Sequence, residues 1–116
     1  MQRDRQYVLD ILEAARMIQG YIAAIDFVQF EEDSLRQDGV ARRLEIMGEA
    51  TKRLSVDFKD EHPEIPWRLM AGMRNILIHD YDKVDLSVVW ETVTQSIPPL
   101  IAQLEPLYAR LFPDET

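Results

Sequence analysis

Apolar side chains recur every three or four residues along most of this 116-residue chain, and no segment shows the alternation typical of a half-buried strand. The three-and-four spacing keeps one face of an α-helix apolar, so that this face can be buried against other helices. A chain of this length closes one hydrophobic core but not two. The sequence therefore predicts one all-α domain over residues 1–116, folded as an antiparallel up-and-down bundle of four to five helices.

Capping residues, glycines and prolines divide the pattern into elements. The predicted elements are a helix over about residues 3–25, a short turn over 27–30 capped by Asp26, a helix that opens after the acceptors at 31–34 and runs to about 56, a loop over 57–66, a helix over about 67–79, and a helix from 86 to about 107. Asp85 can cap the last helix, which Pro98 and Pro99 are predicted to kink. The small residues Gly48 and Ala50 would let another helix approach closely, although Gly48 costs some helix stability.

Composition excludes several kinds of chemistry and location. The chain has no Cys, which excludes disulfides, thiolate nucleophiles and Cys-ligated zinc and fits a reducing cytosol. The N-terminal residues lead into an amphipathic pattern rather than a signal peptide, and no apolar run reaches membrane-spanning length. His62 and His79 are the only histidines, so a dedicated metal site is not predicted. We therefore expect a soluble cytoplasmic protein that needs no metal or other cofactor.

The charge balance limits how the chain could meet nucleic acid. Thirteen Lys and Arg against 21 Asp and Glu give a net charge of -8, which argues against attraction of nucleic acid to the whole surface. Residues 36–83 hold nine basic and nine acidic side chains, so the flanks carry the excess of acid. Any contact with nucleic acid must therefore be local, although a charge-balanced middle is also typical of an ordinary solvated helix face.

A group of polar residues stands out in the apolar third helix. Arg74 lies among apolar residues, where an unpaired buried charge is costly, so it needs a partner or a place in a cleft. Asn75 and His79 are four residues apart and would project from one face of an α-helix, with Arg74 one step round. Such a set has the chemistry for phosphodiester cleavage without a metal. His79 can move protons near neutral pH, Arg74 can neutralise charge on the phosphate, and Asn75 can orient.

Plainer roles are open for the same residues. His79 near a helix C-terminus can act as a cap that interacts favourably with the helix dipole, and Arg74 can form an internal ion pair with Glu49. Tyr81 can be a hydrophobic plug with a bonded hydroxyl. Spacing alone does not choose between these roles and a catalytic site.

The pattern Arg74-Asn75-x-x-x-His79-x-Tyr81 resembles the signature of the HEPN superfamily, in its HepT-like branch. Three further segments are similar to that branch and occur in the same order. They are residues 46–50 (IMGEA), 65–67 (IPW) and 72–75 (GMRN). The resemblance covers most of residues 35–100, with no departure at the motif positions. The ordered set of segments carries the resemblance, since the short motif alone would be weak.

The resemblance implies a helical toxin ribonuclease that forms a homodimer and cuts RNA without a metal in a cleft shared by the two copies. Arg74, Asn75 and His79 would form the catalytic set. The resemblance also implies a minimal nucleotidyltransferase antitoxin as partner, which would transfer AMP to Tyr81. The added phosphate beside His79 would repel the RNA backbone.

Two further expectations concern residues outside the motif. One copy of the chain offers few cations, whereas a two-fold symmetric dimer brings two copies of Arg74 to the shared cleft. The dimer likewise doubles the number of any flanking Arg42, Arg43 or Arg53 side chains, which we expect to be weak RNA contacts. Glu49 is the candidate to orient the motif side chains, with a structural salt bridge as the alternative.

Two other functions stay open at this point. A non-catalytic helical dimer could dock against the neighbouring transferase or bind a nucleotide for it, and the acidic surface fits that role. A degenerate relative could keep the fold and have lost potency through changes outside the motif. Incubation of the purified protein with RNA and EDTA distinguishes the first of these from a ribonuclease, because only a ribonuclease cuts the RNA.

Overall fold

The computed structural model describes residues 2–77 and 84–113. His79 and Tyr81, two of the residues singled out by the sequence, lie outside the described residues. The elements are α1 (Gln2–Ile22), α2 (Phe27–Glu31), α3 (Ser34–Arg53), α4 (Val56–Glu61), α5 (Trp67–Ala71), a 3₁₀ helix (Met73–Leu77), α6 (Leu86–Glu91), a π-helix (Thr92–Ser96) and α7 (Ile97–Leu111). The described residues contain no strand, and the predicted all-α bundle is confirmed.

The beginnings of α2 and α3 are each set by an aspartate, as the sequence predicted. The Asp26 carboxylate accepts from the Gln29 backbone N–H at 2.9 Å, and the Gln29 side chain accepts from the Asp26 N–H, which is a complete capping box. Asp33 caps α3 by accepting from the Arg36 backbone N–H at 3.0 Å. That bond and the Arg36 guanidinium lower the pKa of the Asp33 carboxyl below its usual value.

The loop predicted over residues 57–66 is wrong in its first half, where the chain forms the short helix α4. The Ser55 hydroxyl caps this helix by accepting from the Phe58 N–H at 3.1 Å, and Phe58 is buried. Asp4, a buried carboxylate of α1, accepts from the Ser55 N–H at 2.9 Å and from its hydroxyl at 2.8 Å. A cap and one buried aromatic ring thus outweigh the poor helix propensity of Asp57 and Asp60.

The third predicted helix is also divided. An α-helix was expected over residues 67–79, but α5 ends at Ala71, and a 3₁₀ helix follows Gly72. The Asn75 N–H donates to the carbonyl oxygen of Gly72 at 2.9 Å, the three-residue spacing of a 3₁₀ turn. Met73 is buried and Ile76 is partly buried against the core, three residues apart, so this tighter period keeps both on one side.

The fourth predicted helix is confirmed in position and in its cap, since Asp85 accepts from the Ser87 N–H at 3.0 Å. A π-helix over Thr92–Ser96 lies directly before Pro98 and Pro99. These prolines fall in the first turn of α7, where a missing N–H costs no helical hydrogen bond. The prolines are therefore accommodated by a local change of helical period.

The core lies where α1 packs along α3 and α7, and α3 also contacts α5 and the 3₁₀ helix. Its largest fully buried side chains are Val8, Ile11, Leu12, Ile18, Phe30, Leu44, Met47, Met70, Met73, Ile97, Leu100 and Leu104. Among the described residues, no helix has the length and apolar character needed to cross a membrane. The α3 helix thus contacts both the core helix α1 and the segment that carries Arg74.

Candidate active site

Arg74 and Asn75 are exposed on the 3₁₀ helix, although the residue before them, Met73, is only 1% exposed. Of the two alternatives that the sequence left for Arg74, a partner or an open position in a cleft, the structure favours the open position. The tighter 3₁₀ winding, with Met73 turned into the core, leaves the next two residues facing outward. Arg74 thus carries no penalty for burial of a charge, and its guanidinium is open to a ligand.

The Arg74 segment is seated closely on α3 at Gly48. A Cβ atom built on Gly48 would lie 3.5 Å from the Arg74 amide nitrogen and 3.6 Å from the Arg74 Cγ. The sequence predicted that a helix could approach here, and this close approach is confirmed.

Asn75 lies over the turn that precedes it. Its side-chain Nδ2 would be 3.7 Å from a Cβ built on Gly72, whose carbonyl accepts from the Asn75 N–H. The prediction that Asn75 and His79 share a face assumed an α-helical repeat, which does not hold over residues 73–77. His79 lies outside the described residues, so its placement beside Asn75 stays a prediction.

The Trp67 side chain holds α5, the helix that leads into the segment with Arg74. Its indole N–H donates to the carbonyl oxygens of His62 at 2.8 Å and Lys59 at 3.1 Å, and its ring packs edge-on against Phe58. These bonds tie α5 to the end of α4. The indole N–H of Trp67 therefore joins two helices.

The groove between α1 and α3 holds the other charged residues selected from the sequence. Glu49, Arg42 and Arg53 line one part of it, and Arg43 lines the adjoining part. Successive residues in an α-helix are about 100° apart, so Glu49 points about a quarter-turn away from Gly48 and the Arg74 segment. Arg42, Arg43 and Arg53 are therefore gathered on a neighbouring face of α3.

Glu49 and Arg74 form no ion pair within the part of the chain that the structure describes. Glu49 is exposed, as is Arg74. The salt bridge between them, one of the alternatives from the sequence, is thus not formed. A contact between Glu49 and His79 lies outside the described residues.

The family model for ribonuclease HepT-like proteins matches residues 11–107. The chain belongs to this family. The assignment to the HepT-like branch of the HEPN superfamily, predicted from the motif, is confirmed. The match spans α1 to α7, so the family assignment includes the segment with Arg74 and the helix on which it is seated.

Individual relatives of this HepT-like chain agree with the family model. A protein named probable ribonuclease HepT, from Thermococcus cleftensis, is 48% identical over 89% of this chain and 94% of its own length. A candidate RNase of Caldanaerobacter subterraneus is 36% identical over 90% of this chain and 94% of its own length. A candidate RNase of Methanocaldococcus jannaschii is 35% identical over 87% of this chain and 93% of its own length. No solved structure gives a significant match.

Two features of this HepT-like site were not assigned to it from the sequence. Gly48 was noted for close helix approach but not connected with Arg74, and the backbone bonds of Trp67 were not foreseen. Among the described residues, no group of three or more His, Asp or Glu side chains is arranged to hold a metal ion. The described part of the site therefore consists of one exposed guanidinium, one exposed amide and the scaffold beneath them.

Proposed function

We propose that this protein is the toxin of a type VII-like toxin–antitoxin pair and acts in the cytoplasm as a metal-independent endoribonuclease. The observation that carries the proposal is the exposure of Arg74 and Asn75 on a short helix anchored by buried Met73, in a chain of the HepT-like ribonuclease family. The family and the names of its relatives support the coarser statement that this is a ribonuclease of the HEPN type. The finer parts of the proposal rest on the motif and on the chemistry of its residues.

Three side chains divide the work of cleaving a phosphodiester bond. His79 acts as acid or base and moves the proton between the attacking and leaving oxygens. Arg74 clamps the phosphate and stabilises the negative charge that builds up on it, a role for which a planar guanidinium is well suited. Asn75 orients the phosphate or His79. None of these roles calls for a metal.

The active unit is a homodimer with a cleft shared by the two copies. The net charge of -8 disfavours RNA binding to an isolated chain, and each described site has a single exposed guanidinium from the motif. Two-fold symmetry doubles Arg74, and the neighbouring face of α3 supplies Arg42, Arg43 and Arg53 as weaker contacts to the RNA backbone.

The ribonuclease activity is regulated by modification of Tyr81. The partner is a minimal nucleotidyltransferase that serves as antitoxin and transfers AMP to the Tyr81 hydroxyl, with loss of pyrophosphate from ATP. The bound nucleotide adds negative charge two residues from His79, where the RNA phosphate must lie. A mass increase of one AMP on Tyr81 after co-expression with the partner supports this mode of inhibition, and an inhibited complex with unmodified Tyr81 contradicts it.

Cleavage of RNA in the presence of EDTA tests the proposal directly. We expect the purified protein to produce internal cuts under these conditions and the His79→Ala variant to produce none. An intact RNA after incubation with the wild-type protein would assign the chain to non-catalytic binding. A His79→Ala protein that still cuts RNA and is still toxic when expressed alone would show that His79 is not the acid or base.

A further inference from the structure

Gly48 lies in the second half of α3, is buried, and faces the segment that carries the motif. A Cβ atom at this position would lie 3.3 Å from the carbonyl oxygen of Ala71, 3.5 Å from the amide nitrogen of Arg74 and 3.6 Å from its Cγ. Two of these three atoms are backbone atoms, which cannot move aside like the end of a flexible side chain. Residues 71–74 therefore pack into space that a larger side chain at position 48 would occupy.

Conformational freedom does not explain this glycine. Gly48 is in the interior of an α-helix, where any residue adopts the required backbone. Glycine there destabilises the helix by about 0.5–1 kcal/mol relative to alanine. Alanine would be the better residue for α3 alone, so the benefit of glycine lies in the close approach of the motif segment.

The core keeps the motif segment from moving back from α3. Met70 and Met73 are 0% and 1% exposed, so a shift of the backbone away from a larger residue 48 would disturb close packing. A methyl group 3.3 Å from a carbonyl oxygen is tighter than an ordinary van der Waals contact, and its neighbour must give by a few tenths of an ångström. That displacement would act on the carbonyl of Ala71, whereas the two Arg74 atoms lie at ordinary contact distance and would shift only through the backbone that joins them to Ala71.

We propose that Gly48 is a positioning residue for the ribonuclease, because its missing side chain seats the backbone and Cγ of Arg74 against α3 and so directs the guanidinium. The inference rests on the proposed function, since the placement of Arg74 matters for activity only if Arg74 takes part in cleavage. Gly48 touches no substrate in this account and acts through Arg74.

Two other helical glycines are matched controls. Gly39 is also in α3, and a Cβ there would lie 3.1 Å from a ring carbon of Tyr21, a close contact that does not involve the motif segment. Gly20 is in α1, and a Cβ there would meet nothing within 4 Å. Gly39→Ala and Gly20→Ala therefore bring the same gain in helix propensity without contact with Arg74.

The test compares Gly48→Ala with these controls in the full chain. Three quantities are measured: kcat and KM for RNA cleavage, urea unfolding, and the exchange rate of the Asn75 amide, which donates to Gly72. We expect kcat to fall about tenfold in Gly48→Ala, because a misplacement of about 1 Å costs about 10²-fold and this one is smaller. The Asn75 amide should exchange faster in a protein that stays folded, while both controls should match the wild type in RNA cleavage and in exchange of the Asn75 amide.

A double variant distinguishes positioning from general packing. In an Arg74→Ala background, Gly48→Ala should cause no further loss of cleavage, because the group that it positions is gone. An additive loss would overturn the proposal, as would a Gly48→Ala protein that cleaves like the wild type or that unfolds. If the wild-type protein cuts no RNA, the proposed function fails. The Asn75 exchange rate then decides by itself whether Gly48 holds the segment.

Discussion

Replacement of Arg74 by alanine should remove activity and leave the fold intact. The Arg74 side chain is exposed, and it makes no hydrogen bond or ion pair with other described residues. Substitutions at such positions usually change the free energy of unfolding by less than about 0.5 kcal/mol. Loss of one group that stabilises transition-state charge typically lowers kcat by about 10²–10³, or about 2.7–4 kcal/mol. The predicted effect on cleavage is therefore several times larger than the effect on stability.

The matched control is Arg68→Ala. Arg68 is exposed on α5, so its removal changes the net charge by the same amount without touching the motif. Arg74→Lys adds a finer comparison, because lysine keeps the charge but lacks the planar fork that binds two phosphate oxygens together. We expect the activity of Arg74→Lys to lie between those of the wild type and Arg74→Ala.

The assay is cleavage of a fluorophore–quencher RNA in EDTA, measured at several salt concentrations beside urea unfolding of each variant. Equal losses in Arg74→Ala and Arg68→Ala would refute the reasoning, because the effect would then come from overall charge. A loss of stability of more than about 2 kcal/mol in Arg74→Ala would refute it as well, since it would show a structural role that the exposed side chain does not predict.

Two further predictions concern stability. Asp4→Ala removes a buried carboxylate that accepts two hydrogen bonds from Ser55, so we expect a loss of about 2–3 kcal/mol. Thermal unfolding should show this as a fall in Tm of about 8–12 °C, and a fall of under about 3 °C would contradict it. Because the pKa of Asp33 is lowered in the folded protein, its ionised carboxylate stabilises the fold at pH values above the ordinary pKa of 3.8. This contribution is lost as the pH falls through the lower pKa of the folded state. The Tm difference between the wild type and Asp33→Asn should therefore shrink between about pH 5 and pH 2, and a constant difference would exclude this role for the charge.

The beginnings of α3 and α6 were predictable because two independent signals agree at each. In α3, an acceptor at Asp33 precedes a long apolar stripe, and the observed helix begins at Ser34. In α6, Asp85 plays the same part. Caps and apolar period are local properties of the chain, so they can be read without knowledge of the neighbours.

The elements that sequence reasoning missed depend on contacts distant in the chain. The helix α4 relies on Asp4, which is 51 residues from Ser55, and no local pattern records that bond. The division after Ala71 depends on the placement of Met73 and on the shape of α3 at Gly48. Tertiary contacts of this kind routinely override local propensity.

The candidate site shows the same division between what is local and what is not. The sequence identified Arg74 and Asn75 by their type and spacing, and the structure places both at the surface. The sequence left open whether Arg74 is paired or lies in a cleft, because residue type and spacing do not specify the neighbours of a side chain. The ion pair of Arg74 with Glu49 was one of the alternatives from the sequence, and Glu49 lines a different face of α3.

Two departures from local preference meet at the same place in this fold. Glycine is a poor helix former, yet Gly48 lies inside α3, and the segment opposite it takes up a 3₁₀ helix, whose hydrogen bonds have poorer geometry than those of an α-helix. Each costs stability by itself, and an α-helix packed on an alanine would avoid both. Natural chains tend to keep such conflicts at functional sites and to compensate for them elsewhere. The coincidence of both at Arg74, in a family of ribonucleases, is the structural reason to expect that function depends on this contact.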